Sequence, residues 1–107
     1  MRTALLGAAV LAALLAAAPS SKTYLVHIRD DKFQPPSVTV RAGDLVTFVN
    51  DDDDAHTATA DDGSWDSEGL NQGEKWSHIF TKGGKITYHC TVHPFMKGTL
   101  VVQGEKK

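Results

Sequence analysis

The chain has one cysteine, Cys90, among 107 residues. A single thiol makes no internal disulfide, so the usual staple of a small secreted domain is excluded. The same scarcity excludes a structural zinc site of Cys-x(2–4)-Cys type and a c-type haem attachment, which needs CxxCH. Methionine is equally sparse: beyond Met1 there is only Met96. No basic stretch is interleaved with aromatics, and the formal charge is −2, which argues against nucleic acid as a partner. After residue 20 no stretch has a convincing helical period of apolar residues.

The first twenty residues, MRTALLGAAVLAALLAAAPS, lack almost everything except small and aliphatic side chains. Arg2 is the only charge before Lys22, and Thr3 to Ala18 is a nearly unbroken run of Ala, Leu, Gly and Val. That is the pattern of a secretory signal. The run is shorter than the roughly 20 residues that span a bilayer comfortably. Cleavage after Ser20 fits a small-x-small rule, with a cut after Ala18 as the variant and a retained anchor as the alternative. The expectation is a signal over 1–20, then one domain over 21–107 in the periplasm, with no stable membrane insertion once the signal is gone. Without Arg2 the balance is 10 basic against 13 acidic residues, a net of −3.

A domain of this size buries a modest core and often needs a metal or a disulfide. A lone thiol in an oxidising compartment is open to oxidation unless something occupies it. A metal would do so.

What is present reads as strands. KTYLVHI (22–28), PPSVTV (35–40), DLVTFVN (44–50), EKWSHIF (74–80), KITYHC (85–90) and GTLVV (98–102) are short, β-branched or aromatic, and bounded by Gly, Pro and Asp. They predict an all-β protein, a small sandwich or barrel. Residues 51–73 read mainly as loop, with HTATA (56–60) as a short strand within it. Gly43 in RAGD marks a hairpin or sheet crossover, TKGG (81–84) a turn, and Gly98 a return of the chain.

Chemistry concentrates in HCTVHPFMKG (89–98). Cys90, His93 and Met96 recur at intervals of three in a short loop between two strands, and Pro94 limits its freedom. Such a loop presents thiolate, imidazole and thioether to one point. A second imidazole completes the set. His56, just beyond a strand end, is the best candidate. His27 and His78 lie within strands that packing alone explains, and His89 should point away from Cys90 because side chains alternate. Two His and one Cys, with Met as a weak axial ligand, describe a blue-copper electron-transfer site. Calcium and magnesium want oxygen donors. Zinc in this pocket would be mis-loading.

The stretch YHCTVHPFMKGTLVV (88–102) closely resembles the copper loop of the amicyanins, small blue-copper proteins of the cupredoxin (plastocyanin/azurin-type) family. FVNDDDDAH (48–56) resembles the family segment that carries an Asn and, six residues later, the first His ligand. The resemblance runs from about residue 22 to 103. It implies an eight-stranded Greek-key β-sandwich holding one copper ion that cycles between Cu(II) and Cu(I). It implies His56, Cys90 and His93 as equatorial ligands and Met96 as the axial one. Asn50 is implied to tie the first-His loop to Cys90 and Thr91. The ring of His93, within an apolar patch to which Pro94 and Phe95 contribute, is implied as the electron port and docking surface. Family members pass electrons from methylamine dehydrogenase to a c-type cytochrome.

These readings give a periplasmic one-electron carrier rather than an enzyme. The alternative is a copper delivery or storage protein, and multiple Met or Cys residues would favour it. An oxidase or nitrite-reductase chemistry needs a second metal cluster. The run Asp51, Asp52, Asp53 and Asp54 departs from the family pattern; it is read as a solvated face or as a contact for a basic partner such as a c-type cytochrome.

Overall fold

The computed structural model describes residues 21–104, so the expected signal over 1–20 lies outside the described residues. Eight strands follow one another: β1 (Thr23–Arg29), β2 (Lys32–Gln34), β3 (Ser37–Arg41), β4 (Leu45–Asn50), β5 (Thr59–Ala60), β6 (Lys75–Ile79), β7 (Gly84–His89) and β8 (Lys97–Gln103). They form two four-stranded sheets, ordered β2-β1-β4-β6 and β3-β8-β7-β5. Each sheet contains one parallel pair, β1 with β4 and β3 with β8. The remaining pairs are antiparallel. The all-β sandwich expected from the sequence is therefore the observed fold, and among the described residues there is no helix.

Period-two alternation decides what faces inward. β3 and β8 bury every second residue, Val38 and Val40 on one strand and Gly98, Leu100 and Val102 on the other. Val26, Ile28, Val46 and Phe48 supply the opposing layer. Aromatic rings fill the middle. Tyr88 meets Phe33 edge-on at 4.7 Å and Phe48 at 5.5 Å. Trp65 stacks on Phe48 and on Trp76, each at 5.9 Å. Trp65 is thus core and Trp76 half-buried, positions that the sequence alone left open. His78 stacks on Trp76 at 5.2 Å, as strand packing predicts.

Three local features differ from expectation. The sequence reading missed β2, which is three residues long. Its hairpin with β1 turns on Asp30 and Asp31, both at positive φ (57° and 56°). Two consecutive left-handed residues make the tight two-residue turn that matches strand twist, and Asp tolerates that conformation better than most residues. The strand predicted from Pro35 begins only at Ser37, because a proline has no N–H to give a ladder. TKGG joins strands in different sheets and so is a crossover, as is RAGD, where Gly43 takes φ 99°.

Gly98 has a different reason from turning the chain. It sits in β8 directly opposite Tyr88. A Cβ built there would stand 2.7 Å from Tyr88 Cε2 and closer still to Cζ and Oη. The ring occupies the space that any side chain would need. Gly98→Ala should therefore cost about 1–3 kcal/mol through overpacking, read as a lower urea midpoint with an unchanged slope.

Asp44 ties the crossover together. Its buried carboxylate accepts the backbone N–H of Lys22 (3.0 Å) and of Arg41 (2.9 Å), joining the start of β1 to the end of β3. The Lys22 and Arg41 amides hold its pKa below the ordinary carboxylate value, in that order of weight and against the opposing effect of burial. A depressed folded-state pKa stabilises fully above the unfolded value of about 4 and is lost as pH falls through the lower folded value. Urea unfolding at pH 7, 4 and 3 should show stability falling at acid pH, with a shallower fall in Asp44→Asn.

Candidate metal centre

Two loops at one end of the sandwich build the site. The first follows β4 and carries His56; the second joins β7 to β8 and carries Cys90, His93 and Met96. The second loop is closed by its own backbone. Met96 N–H donates to the His93 carbonyl (2.9 Å) and Cys90 N–H to the Met96 carbonyl (3.2 Å).

The loops bring three donors together. His56 Nδ1 lies 3.7 Å from Cys90 Sγ and 3.2 Å from His93 Nδ1. One ligand atom from each of His56, Cys90 and His93 falls within 4.8 Å of the others. Bonds of about 2.0–2.3 Å meeting near a trigonal angle put donors roughly 3.5–4 Å apart, close to the spacing seen. His56 and Cys90 are fully buried. Met96 is buried in the same core cluster as Cys90. His93 is half-buried. The other three histidines are elsewhere engaged: His27 and His89 with Asp51 and Asp61, and His78 within the aromatic stack. His89 does point away from the site, as alternation requires.

Asp52 fixes the orientation of the first imidazole. Its carboxylate stands 2.9 Å from His56 Nε2 and also accepts the backbone N–H of Asp30 (2.8 Å) and Asp31 (3.0 Å). With Nε2–H given to Asp52, Nδ1 presents the bare lone pair that a metal requires. Burial opposes ionisation of Asp52, but the Asp31 and Asp30 amides and the His56 ring outweigh it and hold the pKa below its ordinary value.

The link between the two loops is Thr57, which the sequence reading missed. Its N–H donates to Cys90 Sγ (3.4 Å), and its Oγ1 accepts the Thr91 N–H (2.9 Å). Asn50 does not make the contact with Cys90 and Thr91 expected of it. Its amide donates to the carbonyls of Asp54 and Leu70, both at 2.8 Å, and its Oδ1 accepts the Asp52 N–H (2.9 Å). Asn50 therefore shapes the first-His loop from within. The available signal for Thr57 was its place immediately after His56.

The Asp51–Asp54 run is also not uniform. Asp51 pairs with Arg29 and His27, both at 2.8 Å, while Asp52 turns inward. Only Asp53 and Asp54 are exposed. Around His93, Pro94 is exposed and Phe95 is 68% exposed, edge-on to the His93 ring at 6.0 Å. Val92 adds a further exposed apolar side chain.

The donor set is soft thiolate and two imidazoles, with the buried Met96 thioether carried by the same loop as Cys90 and His93. One copper ion is the cofactor that this chemistry fits. Removing the Thr57 hydroxyl should leave the Thr91 N–H unpaired. Thr57→Val should lower the stability of the metal-free protein by about 1–3 kcal/mol, measured by urea unfolding.

Comparison with known proteins agrees. The cupredoxin-like domain model matches residues 2–102. Amicyanin-alpha of Methylorubrum extorquens is 39% identical over 106 residues, covering 94% of this chain and 87% of that protein. Amicyanin of Paracoccus denitrificans is 31% identical over 84 residues, covering 74% of this chain; the match spans only 64% of that longer protein. A solved oxidised amicyanin mutant superposes with a TM-score of 0.71 at 30% identity, covering 75% of this chain and 81% of that one. A copper-containing nitrite reductase from Thermus scotoductus superposes with a TM-score of 0.72 at 27% identity, but the 83% of this chain that matches covers 24% of the reductase. The chain belongs to the cupredoxin-like family and is an amicyanin-like member of it.

Proposed function

We propose that this protein is a one-electron carrier whose mononuclear type 1 copper site is held by His56 Nδ1, Cys90 Sγ, His93 Nδ1 and Met96 Sδ. The observation that carries the reading is the convergence of His56, Cys90 and His93 on one point inside a rigid sandwich. A bound copper ion supplies the Cu(II)/Cu(I) couple. The chain supplies everything else. Asp52 fixes the His56 ring, and the Thr57 amide donates to the sulfur, which withdraws charge from the thiolate and tunes potential. Ligands anchored at strand ends and in a self-closed loop change little between oxidation states, which keeps reorganisation small.

Electrons pass at the one ligand that reaches the surface. His93 lies at the exposed face formed with Pro94 and Phe95, where a partner protein docks transiently. The relatives named amicyanin agree with a carrier; a dehydrogenase as donor and a c-type cytochrome as acceptor, met in the periplasm, are the partners that the family resemblance implies. The reading is of a carrier rather than an enzyme. His56 and Cys90 are buried and only His93 reaches the surface, and the reductase similarity covers only a quarter of that enzyme.

Copper(II) added to the folded metal-free protein should bind at one per chain and give an intense visible thiolate-to-copper(II) band with a narrow-hyperfine EPR signal. Cys90→Ser should abolish the band. Copper binding without that band, or its survival in Cys90→Ser, would remove the sulfur from the site and defeat the proposal.

A further inference from the structure

We propose that Asp30, Asp31, Asp53 and Asp54 form an acidic rim beside His93 that selects a cationic redox protein as partner; the proposal rests on the carrier reading above. The rim is not the Asp51–Asp54 run of the sequence. Asp51 is neutralised by Arg29 and hydrogen-bonded to His27, and Asp52 is occupied by two backbone amides and the His56 ring. The β1–β2 hairpin supplies two carboxylates in their place. Its left-handed turn sends the backbone N–H groups of Asp30 and Asp31 inward to Asp52, which docks the hairpin against the first-His loop.

The result is a cluster drawn from two distant segments. Ligand oxygens of Asp31 and Asp54 lie within 4.8 Å of each other and of a His93 ring nitrogen. Asp30, Asp53 and Asp54 are exposed, and the Asp31 side chain is 47% exposed. Among the described residues no lysine or arginine forms an ion pair with any of the four. A groove of about 660 Å³ is lined by Asp30, Asp31, Lys32, Phe95 and Lys97. The docking face therefore combines the exposed apolar Phe95 with the carboxylates of Asp31 and Asp54 beside His93, and with Lys32 and Lys97 along the groove. Asp31 also stands 3.5 Å from the buried His56 Nε2, but no lysine or arginine neutralises it, and carboxylates within a Debye length of about 10 Å of the electron port act on every approaching partner. A lysine-bearing face is drawn to the carboxylates beside His93 and kept off Lys32 and Lys97.

The test uses copper-loaded, reduced protein and three one-electron oxidants: tris(phenanthroline)cobalt(III), ferricyanide and a lysine-rich c-type cytochrome. In each reaction Cu(I) becomes Cu(II) while cobalt(III) or iron(III) is reduced by one electron. At low ionic strength, Asp31→Asn/Asp54→Asn should slow oxidation by the cobalt complex and the cytochrome by about three- to tenfold and speed oxidation by ferricyanide. The differences should vanish in about 0.5 M salt. Asp62→Asn, near the β6–β7 crossover at the other end of the sandwich, should change none of the three rates.

A change in reduction potential moves all three rates the same way, so only a split by charge supports the rim. Rates that move together, that do not move, or that match Asp62→Asn overturn it. Failure of the carrier reading looks different: no thiolate band forms, or no electron reaches any of the three oxidants.

Discussion

Everything at the metal end depends on one junction between two loops 34 residues apart in sequence. Thr57 and Thr91 meet through N–H and hydroxyl, and the Thr57 amide reaches the sulfur of Cys90. This junction continues a strand ladder. β5 and β7 pair Thr59 with His89 and Ala60 with Tyr88. Carried two residues further in the same antiparallel register, the ladder sets Thr57 opposite Thr91. The two-residue strand β5 is therefore less minor than its length suggests. It places His56 against Cys90 by the same hydrogen-bond geometry that builds any sheet, and a register slip there would separate the donors.

A second constraint acts from the opposite side. The Asp52 carboxylate collects the Asp30 and Asp31 amides and the His56 ring, so the first-His loop is pinned to one sheet by Asp52 and to the other by Thr57. Asn50 closes that loop internally. The His56 ring is thus fixed through its neighbours on both sides, in a position where it makes no contact with solvent.

The sequence made the sandwich and the Cys90–Met96 loop legible because both rest on short-range signals, while His56 stands out only when weighed against the remaining histidines. Alternation marks strands, and the spacing of Cys90, His93 and Met96 is visible within one loop. What it hid were relations between segments. The β1–β2 hairpin went unseen because Asp-Asp is not a typical left-handed turn pair, and β2 is too short to show alternation. The role given to Asn50 belongs to Thr57, since nothing local reveals which side chain faces the second loop. The acidic run looked uniform because identical letters conceal that Asp51 and Asp52 are satisfied internally while Asp53 and Asp54 are not.

The strand order carries a consequence for how the molecule is made. β3 is paired in parallel only with β8, so Ser37–Arg41 waits for Lys97–Gln103 before its sheet edge is filled. Such long-range parallel closure is slow compared with hairpin formation. Cys90 lies between β7 and β8, so its loop is closed at both ends only once β8 has paired with β7 and β3. Until that last strand pairs, the sheet behind the thiol is incomplete.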